Sequence, residues 1–361
     1  MEASTLPGRY FADLDVYREE TRRIFNKLWI CVGRASDIPA AGDFILRELN
    51  GNSLIVVRDE NGDVRCFDNV CRHRGTRLLE NADGKLPGGI QCPYHAWRYQ
   101  LNGVLKSAPN MSSEEGFKPT DFSLSSLQCR TWEGFICVQR DPGGSGVAEN
   151  EPAFWSRFRD WQLAELVPAH RITYDVNANW KILFHNFSEC YHCSLVHPQL
   201  NPVTSAASAS NDFTEGPLLG GPMILNDGFA TVSTGGELCG DVFPGLSAED
   251  RQRVYFYTLF PTMFISPHPD YMLTHRVERR SVDRTRIICE WLFPPEICSR
   301  SEFSPEAAVE FWDMTNRQDW HVCELTQQGV QSDAYQPGPY SKQESMLAAF
   351  DRHYLSLMNE Q

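Results

Sequence analysis

Two cysteines and two histidines occur in two short clusters of the N-terminal half. Cys71 and His73 are separated by one residue, and Cys92 and His95 follow after 18 intervening residues, each pair beside a Gly or Pro that favours a turn. Thiolate and imidazole are common ligands of zinc and iron in proteins. The spacing therefore predicts a metal centre held between two loops.

The four side chains suit two kinds of centre. A tetrahedral zinc ion accepts two cysteines and two histidines and often stabilises a small β-domain. A [2Fe–2S] cluster takes the same ligands when both thiolates bind one iron and both imidazoles bind the other. The number of ligands alone leaves both centres open.

A second group of metal-binding side chains lies in "NANWKILFHNFSECYHCSLVHP", residues 177–198. Glu189 and His192 are three residues apart, which predicts that they share one face of a helix over residues 180–195. His197 lies five residues beyond His192, about 140° around an ideal helix. Because Pro198 disfavours helical backbone at the preceding residue, we expect the helix to end there and His197 to turn back toward His192.

Two imidazoles and one carboxylate form the facial triad of non-haem Fe(II) oxygenases, which leaves coordination positions for dioxygen and substrate. The carboxylate is expected from a distant helix, "FWDMTNRQDWHVCELTQQG", residues 311–329. Asp319 falls on its apolar stripe, where an unpaired carboxylate would be costly. Asp313 lies off that stripe and is the alternative ligand.

Around these groups the sequence indicates an α+β protein. Residues 15–30 have the apolar spacing of an amphipathic helix within an N-terminal helical segment, residues 1–38. Short Val-, Ile- and Phe-rich runs separated by Gly, Asn and Asp predict an all-β domain over residues 39–140. A Gly-, Pro- and acid-rich linker is expected at 141–152. Residues 153–361 then form a domain of helices and antiparallel strands.

Composition excludes some partners. The 361 residues carry a net charge of −14, which argues against a surface that binds nucleic acid. The sequence begins without the basic and apolar regions of a secretory signal, and no apolar run approaches a membrane span, so we expect a cytoplasmic protein without membrane contact. For the 12 cysteines we therefore expect metal binding or burial rather than disulfides.

The residues flanking the two clusters carry a family resemblance. "CRHRG" and "CPYHAW" are similar to the Rieske signature, and the later "NWK", Asn186, Glu189, "YH" and "HP" follow in the order of a Rieske non-haem iron ring-hydroxylating oxygenase α-subunit. The resemblance extends over nearly the whole chain. It implies a [2Fe–2S] cluster with Cys71 and Cys92 on one iron and His73 and His95 on the other. It further implies a helix-grip catalytic domain, with mononuclear Fe(II) on His192, His197 and Asp319 and with Asn186 nearby.

Within that family, Glu189 stands where most members have Asp, and this resembles the carnitine, choline and betaine monooxygenases. The resemblance also implies a head-to-tail homotrimer in which Glu189 joins His192 to His95 of the neighbouring chain. Recognition of a quaternary ammonium group needs an aromatic cage. The candidate rings are Tyr191, Phe184, Phe187, Tyr257 and Trp312.

We therefore expect the terminal oxygenase of a monooxygenase or dioxygenase system that uses O2 on a small organic substrate, with a quaternary ammonium compound favoured. Hydroxylation or O-demethylation of an aromatic acid is the alternative substrate chemistry. The sequence contains no dinucleotide-binding glycine fingerprint on a strand-to-helix turn and no plant-type ferredoxin spacing, so a separate NAD(P)H-dependent reductase with flavin and ferredoxin-type centres is implied. A zinc-stabilised protein that binds a small apolar molecule is the alternative of another class.

Overall fold

The chain divides into two structural units. The computed structural model describes residues 4–111, 114–141, 156 and 158–359. One unit is Asn26–Ser145, and the other combines Met1–Phe25 with Gly146–Gln361. The expected linker, residues 141–152, lies outside the described residues except for Asp141. Residues 26–38, which the sequence analysis placed in the N-terminal helical segment, instead contain a strand and belong to the first unit.

The Asn26–Ser145 unit is built from antiparallel β-structure. A seven-stranded sheet has the order β1-β10-β9-β4-β3-β2-β5, and β6-β7-β8 form a second, three-stranded sheet. The strands are β1 Ile30–Arg34, β2 Asp43–Leu49, β3 Asn52–Arg58, β4 Val64–Asp68, β5 Asp83–Lys85, β6 Ile90–Gln91, β7 Arg98–Tyr99, β8 Leu105–Ser107, β9 Ser126–Trp132 and β10 Phe135–Gln139, with 3-10 turns at Ala35–Asp37 and Pro119–Phe122.

Buried apolar side chains explain why these strands form. Alternate residues of β3 and β4, such as Ile55, Val57 and Phe67, point into one core that also contains Trp97 and Tyr99. The period of two places these side chains on one face of the sheet. The expected all-β fold of this region is therefore confirmed.

The other unit combines helices with an antiparallel sheet of order β11-β16-β15-β14-β13-β12. Its strands are β11 Val167–Val176, β12 Leu218–Ile224, β13 Arg253–Leu259, β14 Met263–Pro267, β15 Met272–Ser281 and β16 Arg284–Phe293. Its helices are α1 Arg9–Ala12, α2 Leu14–Glu20, α3 Trp180–Phe187, α4 Cys193–Val196, α5 Pro295–Cys298, α6 Glu306–Val330 and α7 Ser345–Asn359, with a π-helical turn at Thr21–Phe25 and 3-10 turns at Arg159–Trp161, Leu163–Glu165, Ala206–Ser208, Asp250–Gln252 and Lys342–Glu344.

Two predicted helices are shorter than the sequence suggested. The first ends in the π-helical turn at Phe25, and Ile30 already begins strand β1, so the helix predicted over residues 15–30 was too long. The helix predicted over residues 180–195 is interrupted. It starts where the Asn179 side chain accepts a hydrogen bond from the Lys181 N–H, and it ends at Phe187. Ser188 caps that end, and its hydroxyl donates to the Phe184 carbonyl at 2.6 Å.

A buried carboxylate connects four helices and strands of this unit. Glu20, the last residue of α2, has no exposed surface and contacts the Lys181 ammonium and the Arg279 guanidinium, the latter at 3.1 Å. Trp180 Nε1 donates to it at 3.0 Å and the Tyr354 hydroxyl at 2.9 Å. Burial alone would raise the pKa of Glu20, but the charges of Lys181 and Arg279 outweigh that effect and hold the pKa below its ordinary value. Glu20 thereby fixes the start of α3 against α2, β15 and α7.

None of the helices in the described part of the chain is both long enough and apolar enough to cross a lipid bilayer.

The Glu20 network generates a stability prediction. Glu20→Gln keeps the shape of the side chain but leaves two buried cations without an anion, and breaking a buried ion pair typically costs about 3–5 kcal/mol. We expect a loss of that size in the free energy of unfolding, measured by urea denaturation. Glu19→Gln is the matched control, because Glu19 pairs with Arg22 and Arg23 near the surface. Equal losses in the two variants would contradict the assigned role of Glu20.

Candidate functional site

The two cysteine–histidine pairs, Cys71 with His73 and Cys92 with His95, lie in two loops with the same backbone geometry. In each loop the cysteine carbonyl accepts a hydrogen bond from the N–H four residues later, from Gly75 at 3.0 Å and from Ala96 at 3.2 Å. Those two residues have φ values of 74° and 56°. Glycine adopts this left-handed conformation without strain, whereas Ala96 adopts it with a Cβ atom. The two loops therefore present Cys71 and Cys92 in equivalent orientations.

The four predicted cluster ligands divide by burial. Cys71 and Cys92 are each 2% exposed, whereas His73 is exposed and His95 half-buried. The two imidazole rings lie together, with centroids 4.7 Å apart. Desolvation and the charges of His73 and Arg74 lower the pKa of His95, which favours the neutral imidazole that binds metal. This donor set fits a [2Fe–2S] cluster with its thiolate side inside the domain and its imidazole side near the surface.

Two residues beside these ligands were not identified from the sequence. The Tyr99 hydroxyl lies 3.3 Å from Cys71 Sγ and accepts a hydrogen bond from the Arg72 N–H at 3.1 Å. Trp97 stacks on His73 with ring centroids 4.8 Å apart and planes 6° apart. Such contacts orient metal ligands and tune the metal centre. Trp97 is the last residue of the "CPYHAW" motif and Tyr99 follows two positions later, but only the fold shows which ligand each contacts.

The second group of ligands meets at one point of the catalytic unit. Asp319 Oδ1 lies 2.9 Å from His197 Nε2 and 3.2 Å from His192 Nε2, and one ligand atom from each of the three residues lies within 4.8 Å of the others. Asn186 Nδ2 donates to the same carboxylate oxygen at 3.0 Å. Two imidazoles and a carboxylate on one side of a cavity fit a mononuclear iron with open positions.

The remaining nitrogen of each imidazole has its own partner. His192 Nδ1 is paired with Glu189 Oε1 at 2.5 Å, and His197 Nδ1 with Gln318 Oε1 at 2.8 Å. An acceptor at Nδ1 holds the proton there and leaves the Nε2 lone pair for a metal. Gln318 was not predicted as a functional residue, although its position one residue before Asp319 on α6 could have suggested it.

Electrostatics favour a cation where these atoms meet. Burial opposes ionisation of Asp319, but hydrogen bonds to His192 and His197 hold the pKa of its carboxyl below the ordinary value. Burial likewise lowers the pKa of His192, and hydrogen bonds to Asp319 and Glu189 outweigh it and raise that pKa to about 10. The site thus stabilises positive charge between an ionised carboxylate and two imidazoles.

The two candidate acids have different neighbours in the structure. Asp319 is grouped with both histidines, whereas Asp313 accepts hydrogen bonds from the Tyr174 hydroxyl at 2.8 Å and from Arg317 Nε at 2.9 Å. The expectation that Glu189 and His192 share one helical face is wrong, because α3 ends at Phe187 and His192 is the N-cap of α4. They meet through a tight turn, in which Glu189 Oε2 accepts from the backbone N–H groups of Tyr191 and His192.

His197 lies at the end of α4, as the following proline predicted. It is the C-cap residue, with φ −119° and ψ 68°, outside the helical region. This conformation brings its ring within 5.2 Å of the His192 ring, measured between centroids.

A cavity beside these ligands has an aromatic wall formed by Phe187, Phe256 and Trp312. Its lining also includes Ser210. This residue lies close to strand β12 because Gly221 has no side chain: a Cβ atom there would lie 2.1 Å from the Ser210 carbonyl oxygen.

Two of the five aromatic residues predicted to contact the substrate line this cavity. Phe187 and Trp312 line it. Tyr191 is 61% exposed, Phe184 is buried against Trp180, and the Tyr257 hydroxyl donates to Asp212. Those three rings are therefore not cavity-lining residues, and the sequence reasoning missed Phe256 although it adjoins Tyr257.

One disulfide contradicts the expectation for the cysteines. Cys190 and Cys193 are bonded to each other, and the other ten cysteines, all within the described residues, are not in disulfides. The expectation that the cysteines form no disulfides is therefore wrong for this pair. The two residues are three positions apart, and the turn at Tyr191 and His192 brings their Cα atoms to 4.9 Å.

Comparison with known proteins agrees with this architecture. Residues 163–360 match the Ring hydroxylating alpha subunit (catalytic domain) family, and residues 28–129 match the Rieske [2Fe-2S] domain. The chain therefore belongs to the family of ring-hydroxylating oxygenase α-subunits with a Rieske domain. Its cofactors are a Rieske [2Fe–2S] cluster and a mononuclear iron, which confirms the expected cofactors and excludes the zinc alternative for the first centre.

The individual relatives share between 23% and 35% of their residues with this chain. The chain is 28% identical to the glycine betaine monooxygenase oxygenase subunit of Pseudomonas aeruginosa, over 94% of this chain and 85% of the relative. It is 35% identical to the carnitine monooxygenase oxygenase subunit of Escherichia coli, over 55% of this chain and 53% of the relative. The solved structure of a quaternary ammonium Rieske monooxygenase superposes with a TM-score of 0.84 at 23% identity, covering 99% of this chain and 96% of that one. This similarity confirms the fold.

The grouping of Asp319 with the histidines generates a metal-content prediction. Asp319→Ala removes the anionic donor of the three, and we expect Fe(II) affinity to fall by more than about 100-fold, beyond the usual effect of losing an outer-shell partner. The visible absorption of the cluster should persist, because its ligands lie in the other unit. Iron analysis and the absorption spectrum measure both. Asp313→Ala is the control and should retain mononuclear iron; the reverse result would identify Asp313 as the ligand.

Proposed function

We propose that this chain is the terminal oxygenase component that oxygenates a small quaternary ammonium compound, with cleavage of a C–N bond. The observation that carries the proposal is the aromatic wall of Phe187, Phe256 and Trp312 in the same cavity as the three candidate iron ligands. Hydroxylation of a carbon attached to nitrogen gives an unstable product that loses the amine. The substrate and dioxygen would share this cavity.

The three rings form one continuous apolar surface. The Phe256 ring centroid lies 6.2 Å from that of Phe187 and 6.0 Å from that of Trp312. Trp312 is held by its indole N–H, which donates to the Tyr271 hydroxyl at 2.7 Å, and Phe187 stacks on Phe264 with centroids 4.3 Å apart. Aromatic faces attract a desolvated cation, and rings fixed in position lose little entropy on binding it.

The named relatives support the same substrate class. The glycine betaine, carnitine and quaternary ammonium monooxygenases all act on compounds with a permanently charged nitrogen. Glu189, which the sequence analysis associated with that group, is present next to His192. Turnover of an aromatic acid is the alternative that the same cavity could accommodate.

His192, His197 and Asp319 would hold the mononuclear iron, and Cys71, Cys92, His73 and His95 would hold the cluster. When bound, the iron supplies the site at which dioxygen is activated with electrons that pass through the cluster. The surrounding residues position these ligands: Asn186 holds Asp319 Oδ1, and Glu189 and Gln318 hold the protons on Nδ1 of the two histidines. The apolar wall excludes water from the side on which the substrate would lie.

We further propose a homotrimer that receives electrons from a separate NAD(P)H-dependent reductase with flavin and ferredoxin-type centres. The family resemblance supports this arrangement, in which Glu189 would also accept a hydrogen bond from His95 of the neighbouring chain. The Glu189 side chain is 11% exposed, and its described contacts are to His192 and the Tyr191 N–H. A carboxylate has further lone pairs for one more donor.

The substrate class is tested by oxygen uptake with a surrogate reductase. Trimethylammonium compounds such as carnitine, betaine and choline should stimulate uptake, whereas aromatic acids should not. Phe256→Leu removes one aromatic face but keeps an apolar side chain, and we expect the Kd of the preferred cation to rise roughly 2- to 30-fold. The neutral carbon isostere of that substrate should bind with little change. Stimulation by aromatic acids alone would support the alternative.

The proposed bridge at Glu189 is tested by Glu189→Gln. An amide cannot accept hydrogen bonds at both ends as a carboxylate does, so electron transfer from a pre-reduced cluster should slow roughly tenfold, as expected for loss of a charge-assisted hydrogen bond. Stopped-flow oxidation in the presence of substrate and oxygen measures this rate. Glu324→Gln makes the same chemical change where the carboxylate contacts Asn177. An unaltered rate in fully metallated Glu189→Gln would remove Glu189 from the electron path.

A further inference from the structure

The disulfide encloses one of the candidate iron ligands. Cys190 and Cys193 are bonded, and His192 lies within the four-residue ring that this bond closes. The Cys193 N–H also donates to the Cys190 carbonyl at 3.3 Å. Each residue in a closed ring of this size has restricted backbone torsions, because the ends cannot separate. The direction in which His192 points therefore depends on whether the ring is closed.

Cys193 is also linked to the second histidine. Its carbonyl accepts a hydrogen bond from the His197 N–H at 2.9 Å, across helix α4. Glu189, one residue before the disulfide, pairs with His192 Nδ1. One covalent bond thus constrains the backbone that carries both imidazoles and the carboxylate that orients one of them.

A small reagent could approach the disulfide through the cavity. Both cysteines line the cavity that contains the ligands. Cys190 is half-buried, whereas Cys193 is 5% exposed. The sulfur of Cys190 is therefore the more open to attack, and Cys193 would be the leaving thiolate.

We propose that Cys190 and Cys193 form a reversible thiol–disulfide site whose oxidation state sets how firmly the loop holds the two histidines. Hydrogen peroxide takes two electrons and two protons from the two thiols, so that the S–S bond forms and each H2O2 becomes two waters. Reduction by a dithiol proceeds by attack on Cys190, a mixed disulfide and release of Cys193, and it leaves the dithiol oxidised.

The expected consequence is a difference in iron retention. Breaking the bond frees the backbone torsions at Tyr191 and His192, so the ligand atoms are less well preorganised. Outer-shell changes at metal sites typically alter affinity 10- to 100-fold. We expect release of the mononuclear iron to a chelator to be roughly tenfold faster in the dithiol form.

The redox state is read first by differential alkylation and mass spectrometry of the full-length protein. After peroxide treatment Cys190 and Cys193 should be protected from alkylation, and after phosphine reduction both should be labelled. Cys239 and Cys298 are half-buried thiols elsewhere in the chain and serve as internal controls whose labelling should not depend on phosphine. Labelling of both cysteines after peroxide treatment would overturn the proposal.

Iron release is then compared for both forms and for the variant Cys190→Ser with Cys193→Ser. The variant should release iron as fast as the dithiol form. Its release rate should not change with phosphine, because a phosphine effect on the cluster would also appear in the variant. If it does not fold, the comparison of oxidised and reduced wild-type protein still decides. Equal release rates in the two oxidation states would overturn the proposed control of the loop. Hydrogen exchange at residues 189–197 gives a readout independent of metal.

Discussion

A buried carboxylate anchors the segment from which most of the active-site residues are drawn. Glu20 is ionised without contact with water, and this is stable only because Lys181 and Arg279 approach it and Trp180 and Tyr354 donate to it. Two of these residues begin helix α3. Because the other end of that helix continues into Asn186 and the ligand turn, the position of the iron site depends on a charge pairing at the far end of the same helix.

The candidate iron site also contains a carboxylate that needs charged or hydrogen-bonding partners. Asp319 lies against two imidazoles with its side chain only 16% exposed, where an unpaired carboxylate would be costly. Asn186, Glu189 and Gln318 each use a hydrogen bond to hold one of the three ligands in the correct orientation. Side chains held in this way need little rearrangement when a cation binds. The Cys190–Cys193 bond adds a covalent constraint on the turn between two of them.

The two metal centres are constructed differently. The candidate cluster ligands come from two local loops that repeat one backbone geometry, including a left-handed residue four positions after each cysteine. The candidate ligands of the mononuclear iron come from a turn and from helix α6, more than 100 residues apart in the sequence. The first arrangement is specified within short segments, whereas the second exists only once helices α3, α4 and α6 are packed together.

The sequence alone therefore determined the features that local patterns specify. These are both cysteine–histidine pairs, the motif containing Glu189, His192 and His197, the helix end before Pro198, and the family. The sequence favoured Asp319 over Asp313 by its place on an apolar stripe, but only the tertiary structure shows which neighbours each acid contacts, because both lie on one helix. The same holds for Gln318 and Phe256, whose roles depend on residues distant in sequence. The Cys190–Cys193 bond was missed because the apparent helix through Glu189 is broken at Ser188. Motifs report residue types and spacing, whereas long-range packing decides which atoms meet.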